Sequence, residues 1–499
     1  MGEERATVLQ SESLLVREGA GENSSSVTTT LVLSTFVAAS ISFGVGYIAG
    51  YTSPTQSVIM EDLGLSIAEF SLFGSLLNLG SILGALVSGK TVDLLGRKGT
   101  MWVLYIFYIV GWLAIAFAKV PWLLDVGRLL LGFSNGIAGY LLPVYLAEIT
   151  PKNLRGRFTA GVQANSELNQ IRVTVSRCIM FLTADSADDG YLRPFNDVYS
   201  WSFHQLAHLG SNRYQTFLPC IIPSLVQLPL LIYIPESPRW LVNVGREEEF
   251  ETVLRSLRGK KANVFEEAAS IKDYTDSLKR LSGGGMLDLF QPKYYHSLII
   301  GIGLKVLQHS GGSNAYTYYS GVIFTSAGLS KYVGLSTLAV IQMITAIVGA
   351  SLIDKFGRRA LLLVSSAGLC FGSFLTGISF LLQGHHLWSE EARILALISI
   401  WVYMGSYQAG MEGIPWVIVA EIFPINVKGA AGSLAGLTGN ICSWTVSYNF
   451  NFLFQWSSAG TFFIYSAICG VCVIFIAKMV PETKGRTLEE IQASLTTSP

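Results

Sequence analysis

The chain has 499 residues, of which 51% are hydrophobic and only 14% charged, with a formal net charge of zero, whereas an ordinary soluble domain carries about 25% charged residues. This composition excludes a water-soluble globular protein, and without a basic or acidic excess there is no electrostatic footprint for nucleic acid. The six cysteines (Cys178, Cys220, Cys370, Cys442, Cys469 and Cys472) lie mostly inside apolar runs without metal-ligand spacing, so they read as buried thiols, and no metal or cofactor is expected.

Residues 1–30 form a polar tail that lacks the basic stretch, apolar core and cleavage site of a signal peptide. Runs of about 20 mostly apolar residues follow, each long enough to cross roughly 30 Å of hydrocarbon, and short charged loops separate them. Eleven are clear, near 31–53, 70–88, 100–118, 122–145, 214–234, 297–325, 333–353, 359–382, 393–419, 430–453 and 460–480, and a weaker one lies near 158–182. The 50 glycines exceed the usual ~7% and fit close packing of helices through small faces. Lys90, Arg97 and Lys98 follow the second span, Lys152, Arg155 and Arg157 the fourth, Lys355, Arg358 and Arg359 the eighth, and Lys428 the tenth. The positive-inside rule then makes these loops and both termini cytosolic. The expected organisation is a cytosolic tail over 1–30, a six-helix bundle over 31–234, cytosolic linker helices over 235–293, a second six-helix bundle over 294–480 and a cytosolic tail over 481–499. The sequon Asn23-Ser24-Ser25 falls on the cytosolic tail and carries no weight there.

The charged punctuation is written twice. Asp93, Gly96, Arg97 and Lys98 precede Glu148 and Arg155 in the first half, and Asp354, Gly357, Arg358 and Arg359 precede Glu421 and Lys428 in the second. Two matched membrane halves are the build of a transporter. An acid at one helix end facing a base on a neighbouring bundle forms a charge-assisted clasp that holds one face shut, with Glu148/Arg155 and Glu421/Lys428 as the expected clasps. The plainer reading of each loop is a solvated, positive-inside turn. A third mark also repeats, Pro235-Glu236-Ser237-Pro238-Arg239 against Pro481-Glu482-Thr483-Lys484.

There the register breaks, because Glu148 to Pro235 spans 87 residues and Glu421 to Pro481 only 60. The excess falls in 161–213, where Glu167, Arg172 and Arg177 stand among Gln163, Asn165, Asn169 and Gln170. Each charge at the centre of a span costs about 2.5–3.5 kcal/mol or more. Either an unusual fifth helix turns its charges to a cavity, or an insertion from alternative or mistaken splicing displaces a normal one. His204 and His208 lack a third ligand and read as loop residues.

Taken together, these marks resemble the sugar porter family of the major facilitator superfamily. The matching residues are Gly89 with Asp93 to Lys98; Pro143, Tyr145, Glu148, Pro151, Arg155 and Gly156; Pro235 to Leu241; Gln308, Gly311, Gly312, Asn314, Tyr318 and Tyr319; Pro415, Trp416, Glu421, Phe423 and Pro424; and Pro481 to Gly485. Gly50 to Gln56 and Glu421 to Gly429 are similar to the plant early-response-to-dehydration-like monosaccharide transporters. The resemblance implies an all-α, twelve-helix membrane fold of two six-helix bundles and a small-molecule sugar as substrate.

A hexose offers many hydroxyls and little apolar surface, so its site needs amides that donate and accept, together with one aromatic face. Gln163, Gln308, His309, Asn314, Gln342, Trp416 and Asn440 lie within spans and are the candidates; the alternative for each is a helix-to-helix hydrogen bond. The resemblance implies that Gln308 and Asn314 meet sugar hydroxyls, that Gln163 faces them, and that Trp416 stacks at a break made by Gly413 and Pro415. Departures from the family are His309 for a second Gln, Ser313 for an apolar residue, Glu412 for Gly, and Ile441 for Trp after Asn440. Glu412 is thus a candidate proton site. The first span has no acid between Phe43 and Pro54, which favours facilitated diffusion over proton-coupled symport or antiport. A non-transporting sensor is disfavoured by the short tails, and an enzyme by the lack of any catalytic motif. The expected unit is a monomer in the plasma membrane or, from Leu14-Leu15, the vacuolar membrane.

Overall fold

A computed structural model describes residues 28–151, 225, 227–259, 264–281, 289–385, 389–423 and 425–482, and all regular structure among them is helical. Gln163, Arg155, His204, His208, the 161–213 segment and the tails lie outside the described residues. The first elements are α1 (Thr29–Leu63), α2 (Ile67–Ala116) and α3 (Pro121–Ile149). A linker set follows, α4 (Pro238–Val244), α5 (Glu247–Arg258) and α6 (Phe265–Leu281). Then come α7 (Tyr295–Ser310), α8 (Ser313–Ser326), α9 (Lys331–Phe356), α10 (Arg358–Gly384), α11 (Ser389–Ser406), α12 (Ile414–Ile422), α13 (Ile425–Trp456) and α14 (Ser458–Met479).

The glycine-rich composition is used where α2 meets α3. Gly80 and Gly84 face Gly132 and Gly136, each pair four residues apart and so on one helix face. A Cβ on Gly80 would stand 2.3 Å from the Leu129 carbonyl oxygen, and one on Gly132 2.3 Å from that of Leu77. Only bare backbones fit at that separation, as in other membrane helix pairs.

The second and third predicted spans are one continuous helical element, α2, interrupted only at Gly96, whose φ of 78° and ψ of 175° no side chain adopts readily. The chain restarts its helix at Arg97, leaving orphan N–H groups. Glu236 fills the gap: its carboxylate accepts from the backbone N–H of Arg97 at 2.9 Å, of Lys98 at 3.1 Å and of Ser237 at 2.8 Å. Burial pushes the Glu236 carboxyl above its ordinary value, against the pull of those donors and of the Arg97 charge. Trp240 closes the junction by donating its indole N–H to the Asp93 carbonyl at 2.9 Å. The second half repeats the device: Gly357 has φ 88° and ψ 164°, and Glu482 accepts from the N–H of Arg358 at 3.0 Å and of Arg359 at 3.1 Å. The third repeated sequence mark is therefore a detached helix cap, a negative charge set at a helix N-terminus.

The expected clasps Glu148/Arg155 and Glu421/Lys428 each have a partner outside the described side chains; the pairs described at these positions are others. Arg97 holds Glu148 with two parallel bonds, Nε to Oε2 at 2.8 Å and Nη2 to Oε1 at 2.8 Å, while Arg358 Nη2 reaches Glu421 at 3.4 Å. Both pairs join elements of the same half, not of opposite bundles, because each Arg opens a helix whose neighbour ends at the partner Glu. The side chains of Arg155, Asp354 and Lys428 lie outside the described ones, and Asp93 is exposed. The linker is fastened to the same end through Arg258, which donates to the Ile149 carbonyl at 2.7 Å and to both Glu267 oxygens at 2.8 and 2.6 Å.

The halves meet at the opposite end, away from the basic loops. Ser53 of α1 accepts from the N–H of Gly321 on α8 at 2.9 Å, and its hydroxyl lies 3.3 Å from that of Ser320. Asn78 on α2 donates to Ser447 on α13 at 3.2 Å and accepts from the Tyr318 hydroxyl of α8 at 3.5 Å, and Asn451 donates to Ser71 at 2.8 Å.

Candidate functional site

Two broken helices build the site. α7 and α8 correspond to the seventh predicted span, which breaks at Gly311 and Gly312, the latter at φ 97°. A Cβ on Gly312 would lie 2.6 Å from the Tyr465 ring, so both conformation and space demand glycine. Tyr403 satisfies the carbonyl freed at Gly311, donating to it at 2.9 Å. The second break follows α11, where Tyr407–Met411 widen into a π-turn before Gly413 and Pro415 restart the chain as α12. Ser365 stitches this turn by donating to the Ser406 carbonyl at 2.6 Å and accepting from the Met411 N–H at 3.0 Å.

Gln308 ties one break to the other. Its Nε2 donates to the carbonyls of Met411 at 2.7 Å and Glu412 at 3.2 Å, and its Oε1 accepts from Lys305 Nζ at 2.9 Å. With 3% exposure, this amide is spent on protein partners. His309 faces α13, its Nδ1 2.9 Å from the Ser443 hydroxyl, and Gly439 makes room for the ring, since a Cβ there would come within 3.0 Å of it. Trp416 is 48% exposed, as a wall residue should be, and the Lys305 ammonium sits 3.7 Å from its ring centroid.

The remaining amides are differently placed. Asn314, Gln342 and Asn440 are half-buried, and among the described residues nothing hydrogen-bonds their side chains. Gln342 lines a cleft with Gly50 and Ser53 of α1, Thr317 and Ser320 of α8, and Met404 of α11. Asn314 is one helical turn from Thr317, so the two share a face of α8 and extend that wall towards the break. Asn440 follows Gly439, next to His309 on α13.

The family model described as "Sugar (and other) transporter" matches residues 29–495. The chain belongs to this sugar transporter family. It is 46% identical over 481 residues to sugar transporter ERD6-like 15 of Arabidopsis thaliana, covering 96% of this chain and 94% of that one. With sugar transporter ERD6-like 7 of the same plant it shares 46% identity over 461 residues, 92% of this chain and 93% of that one. Among solved structures, the inward open conformation of the xylose transporter XylE from E. coli matches with a TM-score of 0.74 at 23% identity, covering 93% of this chain and 99% of that one. The proton:xylose symporter XylE bound to 6-bromo-6-deoxy-D-glucose matches with a TM-score of 0.71 at 24% identity, over 94% and 99% of the two chains. The fold is that of the major facilitator superfamily, and this sugar transporter is a multi-pass membrane protein.

Sequence reasoning missed two things in this transporter. Lys305 went unremarked although a single ammonium inside the seventh span costs about 2.5–3.5 kcal/mol or more and is a functional signal in itself. Thr317 is the other, recoverable from its three-residue spacing to Asn314. Among the described residues no cluster of His, Cys, Asp and Glu has the arrangement of a metal site.

Proposed function

We propose that this sugar transporter carries a monosaccharide of the hexose class by alternating access and facilitated diffusion, as a monomer with both termini cytosolic. The observation that carries the reading is the set of three half-buried amides, Asn314, Gln342 and Asn440, without hydrogen-bond partners among the described residues and set beside paired helix breaks. Such groups donate to and accept from hydroxyls while the breaks supply hinges. With the basic loops taken as cytosolic, the hydrogen-bonded end between α1 and α8 and between α2 and α13 is the closed outer gate, and the arrangement is inward-facing. The sugar is held by Asn314, Gln342 and Asn440, with Trp416 completing the wall, and the bundles then rock about it. The repeated Arg–Glu pairs keep each half rigid during that motion.

Residues 43–54 of α1 contain no acid, which supports diffusion without proton coupling. Glu412 and His309 are the groups through which coupling would run if it occurs. The decisive experiment is uptake of labelled D-glucose into proteoliposomes with and without an imposed pH gradient. Equilibration at the same level in both supports the proposal; accumulation above the external concentration on the gradient overturns it in favour of a coupled carrier. Fluorescent fusions at the native level assign the plasma or the vacuolar membrane.

A further inference from the structure

Lys305 stands in an unusual place for a cation. It is 1% exposed, on α7, one turn before Gln308 and inside an apolar span. Three groups surround it: its Nζ donates to Gln308 Oε1 at 2.9 Å, it lies 3.7 Å from the centroid of the Trp416 ring, and Gln308 links it to Glu412, whose carbonyl accepts from Nε2 at 3.2 Å. Two of these three partners are the groups a hexose would use, an amide oxygen for a hydroxyl and an aromatic face for the C–H side of the ring.

We propose that Lys305 is a specificity-determining residue that competes with the sugar from within: its ammonium occupies the Gln308 carbonyl and the Trp416 face, and a sugar seating there displaces it towards Glu412. The proposal rests on the sugar-site reading above. A cation on an aromatic face and a stacked pyranose exclude each other, because both require that face within van der Waals distance. At Gln308, Nε2 is committed to the Met411 and Glu412 carbonyls, so Oε1 is the end left for a hydroxyl, and Lys305 already takes one of its two acceptor positions. Glu412 is where the displaced charge finds compensation, which makes the two charged residues one device spanning α7 and the end of the π-turn. The arrangement lowers affinity for neutral hexoses and leaves Asn314, Gln342 and Asn440 to recognise the rest of the ring.

The test is D-glucose binding to the purified full-length protein and to Lys305→Met, Glu412→Gln and the double variant, by isothermal titration. Lys305→Met binds about tenfold more tightly, the size of one desolvated cation–π contact. Glu412→Gln weakens binding several-fold in the Lys305 background and leaves the affinity unchanged in the Lys305→Met background, a coupling that independent sites do not show. The double variant has no stranded carboxylate and keeps the test valid if Lys305→Met alone fails to fold. Wild-type binding with equal or weaker affinity in both Lys305→Met proteins overturns the competition while the sugar site stands. Absence of binding to D-glucose, D-xylose and D-fructose in all four proteins overturns the sugar-site reading and this inference with it, whereas binding that appears only after Lys305 is removed supports both.

Discussion

Replacing Gly96 with alanine tests the junction that both halves repeat. At φ 78° and ψ 175° a Cβ-bearing residue occupies a region that is essentially reserved for glycine, at a cost of about 1–3 kcal/mol. The new Cβ would also lie 2.5 Å from Glu236 Oε2 and 3.0 Å from its Cδ, so the carboxylate must leave. That frees the N–H groups of Arg97 and Lys98, and an unsatisfied buried donor costs about 1–3 kcal/mol. Together the two effects destabilise the protein by roughly 3–5 kcal/mol, the upper end of what single substitutions do. Gly357→Ala meets Glu482 at 2.8 Å in the matching place and shows a similar loss. Gly384→Ala, where an added Cβ meets nothing within 4 Å, is the control. The assay is the fraction of detergent-purified protein that stays monodisperse after heating, followed by size-exclusion chromatography. If Gly96→Ala survives as well as Gly384→Ala, Glu236 is not a detached cap and the account of the repeat is wrong.

Further outcomes follow from the same geometry. Double-mutant cycles on thermal stability give a larger coupling for Arg97–Glu148, bidentate with side chains 11% and 10% exposed, than for Arg358–Glu421, at 3.4 Å with 22% and 26% exposure; the expected scales are about 1–3 and under ~1 kcal/mol. Ser53→Cys with Ser320→Cys, whose hydroxyl oxygens are 3.3 Å apart, crosslinks under mild oxidant and stops uptake until a reductant is added; uptake that continues through a formed crosslink refutes the gate. Because burial raises the Glu236 carboxyl above its ordinary 4.5, its ionised form weighs against the fold. The stability this group contributes is therefore full below that value and falls as pH rises through the raised one, a slope that Glu236→Gln removes; melting curves between pH 4 and 8 check the sign. Asn314→Ala raises the half-saturation concentration for hexose about tenfold without loss of stability, whereas Gln308→Ala, which unfastens α7 from the π-turn, lowers stability by about 1–3 kcal/mol. Matching affinity losses with unchanged melting in both would refute the different roles given to these two amides.

Most of the architecture was legible because hydrocarbon imposes it: apolar runs of membrane length and loop lysines and arginines leave few alternatives to a helical bundle. The break at Gly413 and Pro415 was expected from the family resemblance, whereas the one at Gly311-Gly312 was not, because 297–325 reads as a single apolar run. What the charges touch was not. Arg97 and Glu148 are 51 positions apart and Glu236 and Lys98 138 apart, so their pairing depends on how helices pack, which periodicity does not encode. The same limit hid the second task of Gln308, which binds the Met411 and Glu412 carbonyls, since an intramembrane amide that meets a sugar and one that meets a backbone carbonyl are identical as letters. Lys305 was the avoidable omission, because its cost in a span is visible without any structure.

The distribution of strong and weak contacts has a consequence for transport. Charge-assisted, multidentate bonds lie inside each half, at Arg97–Glu148 and at the Glu236 and Glu482 caps. Between the halves, at the end proposed as the closed gate, the bonds are neutral and made by small groups, Ser53 with Gly321, Asn78 with Ser447 and Asn451 with Ser71, at 2.8–3.2 Å. Neutral bonds of this kind contribute about 0.5–1.5 kcal/mol each, so parting these three costs a few kcal/mol, within reach of the binding energy of one sugar. A gate built from salt bridges would hold more firmly than a hexose with millimolar affinity, about −4 kcal/mol, is able to release. On the proposed reading, the repeated charges therefore do not hold the gate closed. They make the halves stiff enough that weak contacts between them are sufficient to set which way the site faces.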